Sequence, residues 1–234
     1  DLDEITVRAL LTHTSGLPTN TKTLLDKHAE IGGIGPHHFL DSLGEQSLIF
    51  PANRIHKYSN QAMNLAGLII ERVSGIKYEA YIRRYVIEPL KLSATGFPGD
   101  FDDSKVVGYS RAVGGTRVKN EFPEMASILG LPSSGLLSNV SDLGKFMSWH
   151  FRTLEGRDET ILPASALSKM QTVQWVPLPV PLHSTFASVL AYFSELMEIG
   201  GTGLGYFLDG EFVMHGGGLM GFASELVMDR HKMV

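Results

Sequence analysis

The chain has 234 residues, of which 43% are hydrophobic and 19% are charged, and its formal net charge at pH 7 is −5. These values are typical of an ordinary soluble globular protein, while scattered Lys and Arg and short, broken apolar runs argue against a nucleic-acid partner and a membrane span. Cysteine is absent, which excludes disulfides, thiolate catalysis and zinc sites of the Cys type.

The first half of the chain has helical patterns. Four helices are predicted, one capped by Thr6 and the others over residues 36–43, 60–73 and 78–87. The third is the strongest, with an apolar stripe at helical spacing, Asn60 as its N-cap and Gly75 as its terminator. Pro89 ends the fourth helix.

The second half changes to shorter patterns. Two β-like pieces, "VVGYSRA" and "TRVK", are followed by a helix capped at Ser141-Asp142 and by another from Pro163 to near Gln171. Residues 177–181 hold three prolines and are predicted to form a loop or extended connector, and residues 183–198 are predicted to be helical. Three antiparallel strands, "YFLD", "EFVMH" and "FASELVMD", follow, joined by Asp209-Gly210 and by the glycines after His215. Helices first and strands last indicate an α+β fold, with a mainly helical region over 1–198 and antiparallel strands over 199–234.

The stretch "MHGGGLMGF", residues 214–222, allows three interpretations. Gly216, Gly218 and Gly221 match G-x-G-x-x-G, but a dinucleotide-binding loop needs a helix after it and an acidic residue about 20 positions on. A strand-like segment follows here, which argues against that reading. The stretch is otherwise a glycine-rich hairpin turn, or a bare backbone beyond His215 whose N–H groups stabilise a developing oxyanion.

The stretch "FPANRIHKYSNQAMNLAG", residues 50–67, is the second candidate. In an extended segment residues i and i+2 point the same way, so Tyr58 and Asn60 would face one cavity. A tyrosine serves as a general base only if neighbouring cations lower its pKa from about 10. For an isolated Y-x-N, a packed tyrosine beside a capping asparagine is the better explanation.

Together, five segments resemble the serine β-lactamase and penicillin-binding-protein-like hydrolases, specifically the class C β-lactamase and esterase branch. They occur in the family's order: "ITVRALLTHTSGLP" (5–18), "FPANRIHKYSNQAMNLAGLIIERVSG" (50–75), "LPSSGLLSNVSDLGKFM" (131–147), "GTGLGYFL" (201–208) and "HGGGLMGFAS" (215–224). The resemblance implies a β-lactamase/transpeptidase-like α+β fold that is truncated at both ends, the two regions forming one incomplete catalytic domain. His13, in the first segment, is expected to be structural.

The resemblance also implies roles for individual residues. Tyr58 would be the general acid/base, and Asn60 would hold the substrate's acyl-side amide or a catalytic side chain. His215, Gly216 and Gly217 fall on the third motif, which is K-T-G or H-x-G in relatives, and the N–H of Gly218 would form half of the oxyanion hole. His215 would orient Tyr58 or the substrate's carboxylate.

The histidine at the third motif is usual among esterase, lactonase and D-aminopeptidase-like members, and it carries its charge only in part at neutral pH. The implied substrate is a small ester, lactone, β-lactam or D-amino peptide, with no metal and no cofactor. The compartment, the oligomeric state and the acyl substrate are not fixed by the sequence.

The family's nucleophile is the serine of S-x-x-K, upstream of the segment that resembles residues 5–18. The S-x-x-K of this chain, Ser74 to Lys77, follows the Y-S-N at a helix end and is interpreted as a chance match, and there is no G-x-S-x-G elbow. We therefore expect an internal piece of a serine hydrolase that is inactive alone. The alternative is a noncatalytic binding or regulatory protein on the same fold.

Overall fold

The structure is a computed structural model that describes residues 2–20, 47–102, 107–111, 114–121, 130–176, 200–219 and 221–234. Its α-helices are Val7–Leu11 (α1), Asn60–Ser74 (α2), Tyr78–Ile82 (α3), Leu131–Ser134 (α4), Val140–Leu154 (α5) and Ala164–Met170 (α6). Its strands are Val107–Arg111 (β1), Arg117–Glu121 (β2), Gly201–Thr202 (β3), Phe207–Asp209 (β4), Phe212–Leu219 (β5) and Phe222–Asp229 (β6). The mixture of helices with antiparallel sheet confirms the predicted α+β class.

The N-cap of helix α2 lies one residue earlier than the sequence predicted. The N-cap is Ser59, whose Oγ accepts the Ala62 N–H at 3.0 Å, so the prediction that Asn60 caps this helix is wrong. The Asn60 amide instead donates to Asn20 Oδ1 at 3.0 Å, a partner from another part of the chain. The helix ends at Gly75 as predicted, with a left-handed φ of 70° that glycine adopts without strain.

Helix α5 also has a different cap. Asn139 accepts the Asp142 N–H at 2.9 Å, whereas the predicted cap pair Ser141-Asp142 lies inside the helix. The buried Asp142 carboxylate turns away to accept the Ala94 N–H at 2.7 Å. This hydrogen bond holds the segment that contains Ala94 against the first turn of α5.

The remaining helices follow the sequence with small changes. The predicted helix over 78–87 is α-helical to Ile82 and becomes a π-helix over Arg83–Ile87. Helix α6 follows Pro163 and ends at Met170, close to the predicted end near Gln171, which is its C-cap. The short helix α4 was not predicted. The predicted helices over 36–43 and 183–198, the proline-rich connector and the boundary at 198/199 lie outside the described residues.

Two antiparallel sheets are present in the described residues, a ribbon of β1 and β2 and a sheet in the order β3-β4-β5-β6. The three predicted strands are present and Gly201–Thr202 adds another. The prediction that the glycines after His215 form the turn is wrong: Gly216, Gly217 and Gly218 lie inside β5 and pair with β6. The innermost pair of the hairpin is Leu219 with Phe222.

Three apolar clusters hold these elements together. The first joins α1 to α2 through Leu10 and Ala62, and the largest surrounds Trp149 of α5. The third lies under the four-stranded sheet, where Met147 and Phe151 of α5 pack on buried strand residues. Helix α5 therefore connects the helical part to the sheet. None of the described helices is long and apolar enough to cross a membrane.

Candidate active site

Tyr58 lies on a loop that is bonded to the segment after α1. The Ser59 hydroxyl donates to the Pro18 carbonyl at 2.7 Å, and the Thr19 hydroxyl donates to the Tyr58 carbonyl at 2.9 Å. The N–H of Lys57 donates to the His13 carbonyl at 2.7 Å. These bonds fix the backbone on both sides of Tyr58 before helix α2 begins.

His215 lies on β5, just beyond the last β5 residue that pairs with β4. Strand β4 pairs only with Phe212 to Met214, whereas β6 pairs with β5 as far as Leu219. Beyond Met214, the other edge of β5 therefore has no strand partner among the described residues. The three glycines on this edge are exposed.

The structure brings Tyr58 and His215 together, with their ring centroids 6.4 Å apart. Phe207 of β4 lies against both, 5.4 Å from the His215 ring in a stacked arrangement and 6.3 Å from the Tyr58 ring. The phenol from the helical part and the imidazole from the sheet thus share one cluster of rings beside the open edge of β5.

The glycines differ in how closely they are packed. A Cβ added to Gly217 would lie 2.5 Å from Ser224 Oγ, whereas one added to Gly218 would meet nothing within 4 Å. The space beside Gly218 is therefore open to a ligand. Asn60 is held at the start of α2 by its backbone N–H, which donates to the Thr19 carbonyl at 3.0 Å, and by its bond to Asn20.

Three members of the ring cluster were not among the predicted site residues. His13 lies 4.3 Å from the Tyr58 ring, and His56 lies 5.9 Å from His13. Phe207 is within 6.4 Å of both histidines. The signal for His56 was its spacing of two from Tyr58, whereas Phe207 has only the pattern of a strand residue.

Burial sets the protonation of the site. It lowers the pKa of His13 to about 3, with nearby His56, His215 and Lys57 adding to the effect. Burial also lowers the pKa of His56 and of His215, although a backbone hydrogen bond with Gly216 acts in the opposite direction at His215. Burial raises the pKa of Tyr58. At neutral pH the imidazoles are therefore uncharged and the phenol is protonated.

Among the described residues, no group of three or more His, Asp or Glu side chains could hold a metal ion. The S-x-x-K match begins at Ser74, whose hydroxyl donates to the Ile70 carbonyl at 2.6 Å at the far end of α2. Because a helix of 15 residues is about 22 Å long, this serine is remote from Tyr58.

Comparison with known proteins gives concordant matches. A family model described as Beta-lactamase matches residues 1–233. A probable hydrolase of Cochliobolus lunatus is 31% identical over 111 residues, which are 47% of this chain and 16% of that protein. The octameric penicillin-binding protein homologue from Pyrococcus abyssi has 25% identity and a TM-score of 0.71, over 98% of this chain and 50% of its own.

A further solved structure has a similar likeness. A D-stereospecific amidohydrolase from Streptomyces sp. shares 26% identity with a TM-score of 0.69, over 98% of this chain and 66% of its own. The chain thus spans only part of the length of these relatives.

Proposed function

The chain belongs to the beta-lactamase family, since the family model matches residues 1–233, and we propose from this that it is part of a serine hydrolase acting on an ester or amide through an acyl-enzyme. The single observation that carries the proposal is the 6.4 Å approach of Tyr58 to His215 beside the open edge of β5. This arrangement offers a proton carrier next to main-chain amides.

The proposal assigns each group a step. With Tyr58 held as the phenolate by a neighbouring cation, a serine oxygen attacks the substrate carbonyl as its proton passes to the phenolate oxygen, and the Gly218 N–H with the serine's own N–H binds the oxyanion. The leaving alcohol or amine takes the proton back from Tyr58, and water then hydrolyses the acyl-serine with Tyr58 as base. Asn60 holds the acyl-side amide, and His215, Gly216 and Gly217 line the strand edge against the substrate.

We assign the nucleophilic serine and a lysine beside it to residues outside these 234. The S-x-x-K at Ser74 is remote from the ring cluster, which removes it as a candidate. Burial raises the pKa of Tyr58, and no charge among the described residues lowers it, so the phenol needs a cation from elsewhere to work as a base. A lysine one helical turn after the nucleophile would supply that charge.

The proposed substrate is an ester, lactone or D-amino amide rather than a β-lactam antibiotic. A neutral His215 cannot attract a substrate carboxylate as a lysine does, and burial keeps the pKa of this histidine below its ordinary value. The likeness to a D-stereospecific amidohydrolase is consistent with an amide substrate.

The test compares the 234-residue chain with a longer protein that includes the upstream coding sequence. Both are incubated with p-nitrophenyl esters, D-amino acid amides and nitrocefin, and acyl adducts are sought by intact-protein mass spectrometry. We expect an adduct and turnover only in the longer protein. An acyl-enzyme on the 234-residue chain, or none on the longer protein, would contradict the proposal.

Tyr58→Phe in the longer protein tests the assigned role. Loss of the phenol hydroxyl is expected to lower kcat/KM by roughly 100-fold or more, because general acid–base catalysis contributes about 10²–10⁴-fold. Tyr109→Phe is the matched control, since this exposed tyrosine lies on β1. Equal activity of the two variants would remove Tyr58 from the mechanism.

One observation favours a second candidate, a noncatalytic binding or regulatory protein. The ring cluster as described is neutral and holds no activated base. Absence of an S-x-x-K in the coding sequence upstream of Asp1 would favour this alternative over the enzyme.

A further inference from the structure

His13 contacts the backbone on both sides of Tyr58. Its carbonyl accepts the N–H of Lys57 at 2.7 Å, and its Nδ1 accepts the N–H of Ser59 at 3.1 Å. Lys57 and Ser59, the residues on either side of Tyr58, are therefore both hydrogen-bonded to His13. This pair of bonds restricts the backbone rotations that would turn the phenol.

The side chain of His13 also packs directly on Tyr58. The two ring centroids are 4.3 Å apart at an interplanar angle of 38°, which is the shortest ring contact in the cluster. His13 is 3% exposed, and its ring centroid lies 5.9 Å from that of His56 and 6.4 Å from that of Phe207. Because Nδ1 accepts a hydrogen bond, the proton of the neutral ring is on Nε2.

His13 follows the C-cap of α1 and has a φ of +56°, in the left-handed region. This conformation ends the helix, with the N–H of His13 donating to the Leu10 carbonyl at 3.2 Å and the N–H of Thr14 donating to the Ala9 carbonyl at 2.9 Å. A substitution at this position therefore has to suit a left-handed backbone.

We propose that His13 is a positioning residue that holds the Tyr58 phenol in place against His215. The proposal rests on the proposed function, in which Tyr58 carries the proton. It assigns the imidazole two separable tasks, accepting the Ser59 N–H and supporting the Tyr58 ring. His13 itself touches neither substrate nor reacting atoms in this role.

Two variants separate these tasks. His13→Gly removes both the acceptor and the ring while suiting the left-handed backbone, and His13→Asn keeps an acceptor near Nδ1 but has no ring. His150→Asn is the matched control, because it removes an equally buried imidazole that bonds Tyr206 at 2.8 Å and not Tyr58.

The first readout does not depend on activity. The longer protein is labelled with 3-fluorotyrosine, and the Tyr58 resonance is assigned by its loss in Tyr58→Phe. We expect this resonance to shift and broaden in His13→Gly and to shift less in His13→Asn. His150→Asn should move the Tyr206 resonance and leave that of Tyr58 unchanged.

The second readout is kinetic. His13→Gly is expected to lower kcat about 10- to 100-fold with little change in KM, because misplacement of a catalytic group costs up to about 100-fold. Added imidazole should restore part of the lost rate by occupying the vacated space. A merely structural role would lower the fraction of folded protein and leave kcat per folded molecule unchanged.

An unchanged Tyr58 resonance in both folded variants would overturn the proposal. Should neither variant fold, a long-range ¹H–¹⁵N spectrum of the unmodified protein decides. A protonated His13 Nδ1 contradicts the hydrogen bond from the Ser59 N–H, and an unprotonated Nδ1 supports it. A shifted resonance in a protein without hydrolase activity would refute the proposed function and leave the positioning intact.

Discussion

Gly16 and Gly75 both have left-handed backbones, yet their surroundings differ completely. Gly16, with φ of +77°, lies so close to Phe50 that an added Cβ would be 1.9 Å from its carbonyl oxygen. Gly75, with φ of +70°, has nothing within 4 Å of that position. The first glycine is required by a close approach of two loops, and the second only by its own turn.

This contrast gives a prediction of stability. Gly16→Ala is expected to destabilise the protein by roughly 3 kcal/mol or more, because the loops must separate. Gly75→Ala should cost only about 1 kcal/mol, the ordinary penalty of alanine in a left-handed cap. Urea denaturation measures both, and similar losses would show that the approach to Phe50 is not constraining.

At the residue level, the sequence identified the two groups that converge but not what lies between them. Tyr58 and His215 were found because each sits in a recognisable motif. Phe207 and His13 were missed as site residues because their ring contacts arise from distant parts of the chain, and no local pattern encodes them. The catalytic roles of the site residues stay predictions.

At the level of elements, the start of α2 shows how tertiary contacts choose between two capable residues. Ser59 and Asn60 are both good N-caps in isolation. The buried Ser59 hydroxyl takes the role because it also donates to the Pro18 carbonyl, while the Asn60 amide bonds Asn20. The helix itself was predictable from its apolar stripe, but its cap was not.

The two residues should therefore respond differently to alanine. Ser59→Ala is expected to cost about 1–3 kcal/mol, since the helix loses its cap and the half-buried Pro18 carbonyl loses its donor. Asn60→Ala should change stability by less than about 0.5 kcal/mol, because its side-chain bond is exposed. Thermal unfolding of both variants is the measurement, and the reverse order would restore Asn60 as the cap.

The position of the turn after His215 is a second feature that the sequence alone did not determine. Successive glycines favour a turn, yet here they continue β5 because all of them pair with residues of β6. The turn comes only after Leu219. Pairing with a neighbouring strand is a long-range property, so composition alone placed the turn too early.

For the whole molecule, buried histidines link folding to pH. His150 is fully buried in α5, where its Nδ1–H donates to the Phe146 carbonyl and its Nε2 accepts the Tyr206 hydroxyl. Burial lowers its pKa to about 4, and that of His13 to about 3. Both imidazoles must stay neutral in the folded protein.

Stability should consequently decline as the pH falls below about 6.5, the ordinary histidine pKa. In this range the unfolded chain binds protons that the folded chain does not, and each histidine contributes a slope of about 1.4 kcal/mol per pH unit. For His150 the decline ends near its folded pKa of about 4. The free energy of unfolding, measured in urea between pH 7.5 and 5, reports this slope.

His150→Gln is expected to reduce the slope of the free energy of unfolding against pH by the contribution of one histidine. The substitution also lowers stability at every pH. His231→Gln, which replaces an exposed histidine in the final turn, is the control. An unchanged slope in His150→Gln would mean that this imidazole is protonated in the folded state.

The ring of Phe207 faces four aromatic partners, but the strand that carries it is joined to β5 by only three residue pairs and to β3 by two. A slip of one residue in this short ladder would swing the ring to the opposite face of the sheet. Such a molecule would keep its helices and most of its core while Tyr58 and His215 lost their common support. Under the proposed function, misregistered copies would be inactive rather than slow, so a preparation containing them would show fewer active sites at an undiminished rate per site.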